Sequence, residues 1–270
     1  MPTSNLTRTA AARRLAALLF FVATTAHATD VRFAFVGDAA SDAWFGVQQG
    51  VAENNTQGQF LGLSFSVEHV ETGELPAPGT SAIFVAGAPE LVRRIARNHP
   101  DTPVFNLTSR ATELRAECHR NVFHTIPSRR MLEDALRQWR AKNPQVDVRP
   151  VAWTTATDKY AAGQLTTRFE RSQGRAMNDE SWSGWAASKL TGDLIARQGE
   201  DDPAALVDLI MSEVDFDGQR GATMTFRETG QLRQPLWLVD ARGRLVGEAP
   251  VRGVVDTTDL DTLGLTSCPK

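Results

Sequence analysis

The chain is poor in the residues that usually carry bond-making chemistry: 270 residues hold two cysteines, one tyrosine and five histidines. His69, His99, His119 and His124 lie beyond residue 28, and no two stand in an HxxxH spacing. A metal site is therefore not indicated. The chain has no GxSxG turn, no P-loop and no GxGxxG loop. Cys118 adjoins His119, with His124 five residues further on, so a Cys–His pair is available on paper. A disulfide explains Cys118 more simply. Asp38, Asp42, Glu71 and Glu74 stand at no recognisable carboxylate-pair spacing and read as solvated loop acids. No catalytic set emerges, and an enzyme is not expected.

Charge of one sign is also missing. The formal net charge is -3, with no long block of like charge, so nothing marks a nucleic-acid partner. Long apolar runs are absent after residue 28. Before it, Arg8, Arg13 and Arg14 precede LAALLFFVATTA, and Ala26-His27-Ala28 fits a small-x-small cleavage site. Residues 1–28 read as a secretory signal peptide; an uncleaved anchor is the other reading. The apolar core is short for a membrane span, so the mature chain is expected to be periplasmic and not membrane-spanning. Removing three arginines and no acid takes the formal charge from -3 to -6. In an oxidising compartment the two cysteines, Cys118 and Cys268, are either one bridge or two thiols. A bridge would close a loop of about 150 residues, worth on the order of 4–5 kcal/mol at most.

What is present is a rhythm of strands and helices. Short apolar strands are expected at 31–39, 61–70, 81–89, 102–109 and 121–127. Helices are expected at 41–54, 89–98 and 128–142, opened by Ser41, Pro89 and Ser128. This alternation predicts an α/β fold with a parallel sheet covered on both faces, over residues 29–142. Residues 143–249 break the rhythm. They predict one strand at 146–153, helices at 158–174, 179–199 and 202–213, a hairpin at 216–239, and a second hairpin edge at 238–249. Trp182 and Trp185 read as a core stripe on one helix. Residues 250–270 form an irregular tail.

Ligands of open α/β sheets lie beyond the C-terminal strand ends. Those ends carry Asp38 after Gly37, then Gly87 and Ala88, then Asn106, Thr108, Ser109 and Arg110. Glycine permits close backbone approach, and amides and hydroxyls offer neutral hydrogen-bonding groups to a small polar solute. These residues are the candidate ligand-binding set.

The order VRFAFVGD, SAIFVAGAPE, TPVFNLTS after the signal segment resembles the N-terminal lobe of type I periplasmic solute-binding proteins of the branched-chain amino-acid-binding class. WSGWAASKLTGDLIAR followed by FDGQRGATMTFRETGQLRQPLWLV is similar to the C-terminal part of that class, which ends in a hairpin crossing between lobes. RAECHRNVFHTIPSRRMLEDAL, GQLTTRFERSQGRAMND, GQLRQP and LDTLGLTSC resemble the solute-binding proteins that accompany PQQ-dependent alcohol dehydrogenase systems. The resemblance implies a Cys118–Cys268 bridge. The chain departs from the family after Lys142, where strand–helix units expected in a full second lobe are missing and the second lobe is expected to be reduced; no cofactor of the protein's own is expected. It implies a small polar ligand, with pyrroloquinoline quinone (PQQ) as one candidate. Because PQQ carries three carboxylates, Arg110, Arg115 and Arg129 become candidates to meet it. The implied partners are an ABC permease or, alternatively, a periplasmic quinoprotein dehydrogenase or its cytochrome.

Overall fold

The computed structural model describes residues 29–269; the expected signal peptide lies outside them. Five parallel strands form the larger sheet, in the order β2-β1-β3-β4-β5. They are β1 (Thr29–Val36), β2 (Leu63–Val70), β3 (Ala82–Val85), β4 (Val104–Asn106) and β5 (Val122–His124). Strand side chains alternate between faces, and here the alternation sorts residue types. Phe33, Phe84, Phe105 and Phe123 line one face, with successive ring centroids 5.4, 5.6 and 5.5 Å apart. Ala34, Val36, Ile83, Val85, Val104 and Val122 line the other.

Helix α2 (Pro89–Asn98) and the short α3 (Thr112–Ala116) cover the aliphatic face through Val92, Ile95 and Leu114. The phenylalanine face is covered by α1 (Asp42–Gly58), α5 (Ala162–Gln173), α6 (Asp179–Gln198) and α7 (Pro203–Glu213). Fourteen of the 20 residues of α6 are buried, as expected of a helix enclosed on most sides. It packs along α1 at backbone contact. A Cβ on Gly46 would overlap the Ser181 carbonyl, and one on Gly184 would overlap the Ala43 carbonyl. Ser188 Oγ donates to Val47 O at 3.2 Å, and Asn54 Nδ2 to Ser188 O at 2.8 Å.

A smaller antiparallel sheet holds β6 (Arg149–Val151), β7 (Leu236–Val239) and β8 (Leu245–Ala249), in that order. Helix α4 (Arg129–Lys142) covers one face, with Met131, Ala135 and Trp139 against Leu236, Leu238 and Ala249. The fold class read from the sequence is thus found: a parallel α/β sheet plus a small antiparallel sheet ending in a hairpin. Residues 143–249 divide their packing, because β6, β7 and β8 build the second sheet while α5, α6 and α7 cover the first. Among the described residues no helix is long and apolar enough to cross a membrane.

Three local expectations are corrected. The helix expected from Asp158 begins at Ala162, because Tyr160 and Ala161 turn left-handed, with φ of 54° and 65°. The stretch 216–239 is not one continuous ladder. It makes isolated bridges, Phe216 to Met224 and Phe226 to Leu232, and Gln231 pairs beside His124 at the sheet edge before the chain enters β7. Helix α3 was not expected; it is a single turn and a half. Cys118 and Cys268 are bonded, with Cα atoms 6.0 Å apart, tying the tail to the end of α3.

Two measurements test this packing. Gly46→Ala should lower the unfolding free energy by about 2–3 kcal/mol through overpacking, whereas exposed Gly73→Ala, with open space around it, should stay within about 0.5 kcal/mol. Urea midpoints decide. Replacing both cysteines by serine should cost about 2–5 kcal/mol in the same assay.

Candidate functional site

Between the two sheets lies a polar cleft of about 550 Å³. Its walls come from four places. Arg110 follows β4, Val151 ends β6 with Trp153 just beyond it, Asn178 caps α6 with Asp179 and Glu180 in its first turn, and Asp42 opens α1. The α1–α6 pairing brings the two helix N-termini side by side, where Asn178 Nδ2 donates to Asp42 Oδ2 at 2.5 Å. Asn178 also caps α6, accepting from the Glu180 and Ser181 amides at 3.0 and 3.1 Å. Asp42 is therefore not the free loop acid expected: Arg175 Nη1 meets it at 2.8 Å and stacks on Phe45.

Arg110 Nη2 donates to Asp179 Oδ2 at 2.6 Å, and the other Asp179 oxygen accepts from the Trp153 amide at 2.9 Å. One carboxylate thus joins the β4 loop, the end of β6 and the start of α6. Two donors are left over. Arg110 Nη1 and Trp153 Nε1 are buried and have no acceptor. Trp153 itself is 3% exposed. A buried unmet donor costs about 1–3 kcal/mol, and neither atom has surface open to the cleft. Glu180 stands opposite in charge. Burial pushes its carboxyl up, Arg110 opposes the rise, and Asp42 and Asp179 add to it. Arg149 is exposed at the rim of the cleft.

Of the candidate ligand set, Arg110 lines this cleft; the others shape the loops behind it. Asp38 is exposed and accepts from the Ala40 amide at 2.8 Å. The Gly87 amide donates to Thr108 Oγ1 at 2.8 Å, so these two satisfy each other. Ala88 is the exposed N-cap of α2 and offers no side-chain cap. Asn106 is fully buried; its amide donates to Ser109 O and accepts from Ser109 N, at 2.8 and 2.9 Å. That clasp curls the chain after β4 and aims Arg110 inward.

The other two arginines expected to meet an anion do not reach the cleft. Arg115 is 1% exposed and spends its donors on Gln231 Oε1 and on the carbonyls of Ser109, Ala111 and Ile126. Burial, with Arg110 nearby, pulls it down to about 9, still protonated at neutral pH. The Arg129 amide donates to Arg110 O at 2.8 Å, and its side chain is exposed at the start of α4. Sequence reading missed Trp153, Asp179 and Glu180. The one local signal was a pair of acids opening the longest helix. Trp182 and Trp185 are core residues, as read.

The cleft is lined mainly by polar and charged side chains. Cys118 is oxidised, and His124 is buried with Nδ1 3.0 Å from Asn106 Nδ2. Among the described residues no cluster of three or more His, Cys, Asp or Glu could hold a metal ion.

No protein-family model and no curated protein matches the chain. Solved structures do. The fold is that of type I periplasmic binding proteins. A periplasmic binding protein from Burkholderia mallei aligns with a TM-score of 0.67 and 9% identity, over 90% of this chain and 100% of that one. A branched-chain amino acid ABC transporter periplasmic ligand-binding protein from Burkholderia xenovorans aligns at 0.65 and 12%, over 78% and 90%. A leucine-, isoleucine-, valine-, threonine- and alanine-binding protein from Brucella ovis, in a closed conformation, aligns at 0.65 and 10%, over 83% and 93%. At such identities the likeness is one of fold.

His124 supplies a test of this interior. Burial first, then Arg115 and His119, hold its imidazole well below the usual range, so it folds neutral. The unfolded chain takes up a proton near pH 6.5 that the folded chain refuses. Stability should therefore be complete above that pH and fall by about 1.4 kcal/mol per pH unit below it. His124→Gln should flatten the slope by one proton in unfolding titrations from pH 7.5 to 5.

Proposed function

We propose that the chain is an exported solute-binding protein whose inter-sheet cleft takes a small polar ligand carrying a carboxylate. The observation behind this reading is the polar cleft itself, with Arg110 on its wall and Arg149 at its rim. A carboxylate accepts only, and a guanidinium fork suits it. Glu180 and the α6 acids favour hydroxyl or ammonium groups on the rest of the ligand. The fold supports the class, since relatives of this architecture include a Streptococcus pneumoniae protein in complex with isoleucine. Periplasmic residence and service in a PQQ-dependent alcohol oxidation system follow the sequence resemblance. PQQ remains a candidate ligand, with Arg110 and rim Arg149 as the guanidiniums in reach. The receiver would be an ABC permease.

A second reading, an accessory protein for a quinoprotein dehydrogenase or its cytochrome, draws on one feature. Val146, Tyr160, Val246 and Val254 are exposed apolar side chains on or next to the smaller sheet, where a partner would bury them.

Calorimetric titration of residues 29–270 with PQQ, leucine and glutarate separates the two. Solute capture predicts saturable micromolar binding of at least one, weakened about 10- to 100-fold by Arg110→Ala, as the loss of a charged hydrogen bond implies. Heat with none of the three, joined to co-purification with the dehydrogenase or cytochrome, would move the conclusion to the second reading.

A further inference from the structure

Three internal segments and the tail pass between the two sheets. The first runs from Thr125 to Ser128 between β5 and α4, the second follows β6 from Ala152, and the third runs from Leu232 to Pro235 into β7. A domain hinge needs such segments free to change their backbone angles. Here they are linked in the buried interior, the first to the third directly and the second to the third through Arg220. Gln234 Nε2 on the third donates to Thr125 O on the first at 2.7 Å. Thr125 Oγ1 lies 2.7 Å from Ser183 Oγ on α6. Arg220 donates to Ala152 O on the second and to Pro235 O on the third. Asp179 on α6 holds the Trp153 amide of the second. Thr125, Ser183 and Gln234 are fully buried, and Arg220 is 2% exposed.

Arg220 is also gripped from both sides. Its guanidinium lies 5.1 Å from the Trp182 ring of α6 and 5.0 Å from the Trp237 ring of β7. Trp153 stacks on Trp182 at 6.3 Å, and Tyr160 on Trp237 at 6.2 Å. The chain thus layers Trp153, Trp182, Arg220, Trp237 and Tyr160 across the junction of the sheets. The tail adds a covalent tie, since Cys268 is bonded to Cys118. Opening the cleft would strip a guanidinium that has no carboxylate partner of its two carbonyls and one of its rings.

We infer that the two sheets form one rigid body and that the cleft is permanently formed, so ligand capture proceeds without lobe closure. A ligand can shift only an equilibrium that exists. With no second state, occupancy is not transmitted as a change of shape. Whatever distinguishes the loaded protein from the empty one must touch the ligand or the cleft rim itself. This inference stands on the crossing segments and not on the ligand assigned above.

The test is a spin-label distance between Glu68→Cys on β2 and Val246→Cys on β8, in residues 29–270 with the native disulfide intact. A single narrow distance distribution is expected, unchanged by millimolar PQQ, leucine or glutarate. Two populations, or a shift of several ångströms with any probe, would overturn the inference even if calorimetry shows binding. Arg220→Met, where it folds by circular dichroism, should broaden the distribution; a distribution as narrow as before would remove Arg220 from the lock. Where Arg220→Met does not fold, the wild-type distances decide alone. Absence of heat in calorimetry with narrow distances would remove the ligand assignment and leave the rigid body in place.

Discussion

The close approach of α1 and α6 is the contact on which the rest of the structure depends. Glycines at 46 and 184 let two helix backbones touch where any Cβ would collide with a carbonyl. The two helices come from distant parts of the chain, yet their pairing decides what meets at the cleft. It sets the N-terminus of α6 beside that of α1, which places Asp179 against Arg110 and Asn178 against Asp42. It also delivers Trp182 and Ser183 to the sheet junction. A wider spacing would move all four groups together, because a helix translates as a unit. The positive ends of two helix dipoles then face one cleft, a setting that favours negative charge, and acids at 42, 179 and 180 already occupy it.

Two arginines are buried without a carboxylate. Arg115 is satisfied by carbonyls and an amide oxygen, and Arg220 meets two carbonyls and two aromatic faces. Burying a charge is expensive unless its donors are met. Here most of them are met by backbone carbonyls, while Arg220 Nε is buried without an acceptor. Arg115 pins the loops after β4 and β5, while Arg220 pins two of the inter-sheet crossings. Burial pulls Arg220 down to about 9, with Asp179 and Glu248 opposing, so it stays charged at neutral pH. The arginines expected from sequence to meet a ligand anion thus divide, with Arg115 holding the frame and Arg110 facing the cleft.

Much of this frame was legible before any coordinates. Pro89 and Ser128 mark the starts of α2 and α4 because a ring without an N–H and a capping hydroxyl act within one turn. Strands ran shorter than their apolar stretches for an equally local reason that side-chain type alone did not announce. Asn106 bonds Ser109 and ends β4 early. Tyr160 and Ala161 adopt left-handed backbone that residue type disfavours, and the ring of Tyr160 lies where a side chain on Gly221 would sit. The cleft was less legible because Arg110, Trp153 and Asp179 are strangers in sequence. Arg110 could be named from its place after a strand. Trp153 and Asp179 gain meaning only once α6 lies on α1.

A cleft that does not close imposes a constraint on recognition. Enclosure strengthens charge interactions by removing water, and an open site keeps part of its ligand solvated and screened. Affinity must then come from groups already desolvated before the ligand arrives. The Arg110 guanidinium is partly such a group, held in place by Asp179 at the cleft wall. Its desolvation is charged to folding, not to binding, which is the general advantage of a preorganised site. The same lock that denies the protein a closing motion is what holds Arg110 in place, because the Asp179 carboxylate that orients Arg110 also grips the backbone of Trp153 at the second crossing. Rigidity and recognition therefore share one residue, and a change at Asp179 would loosen both.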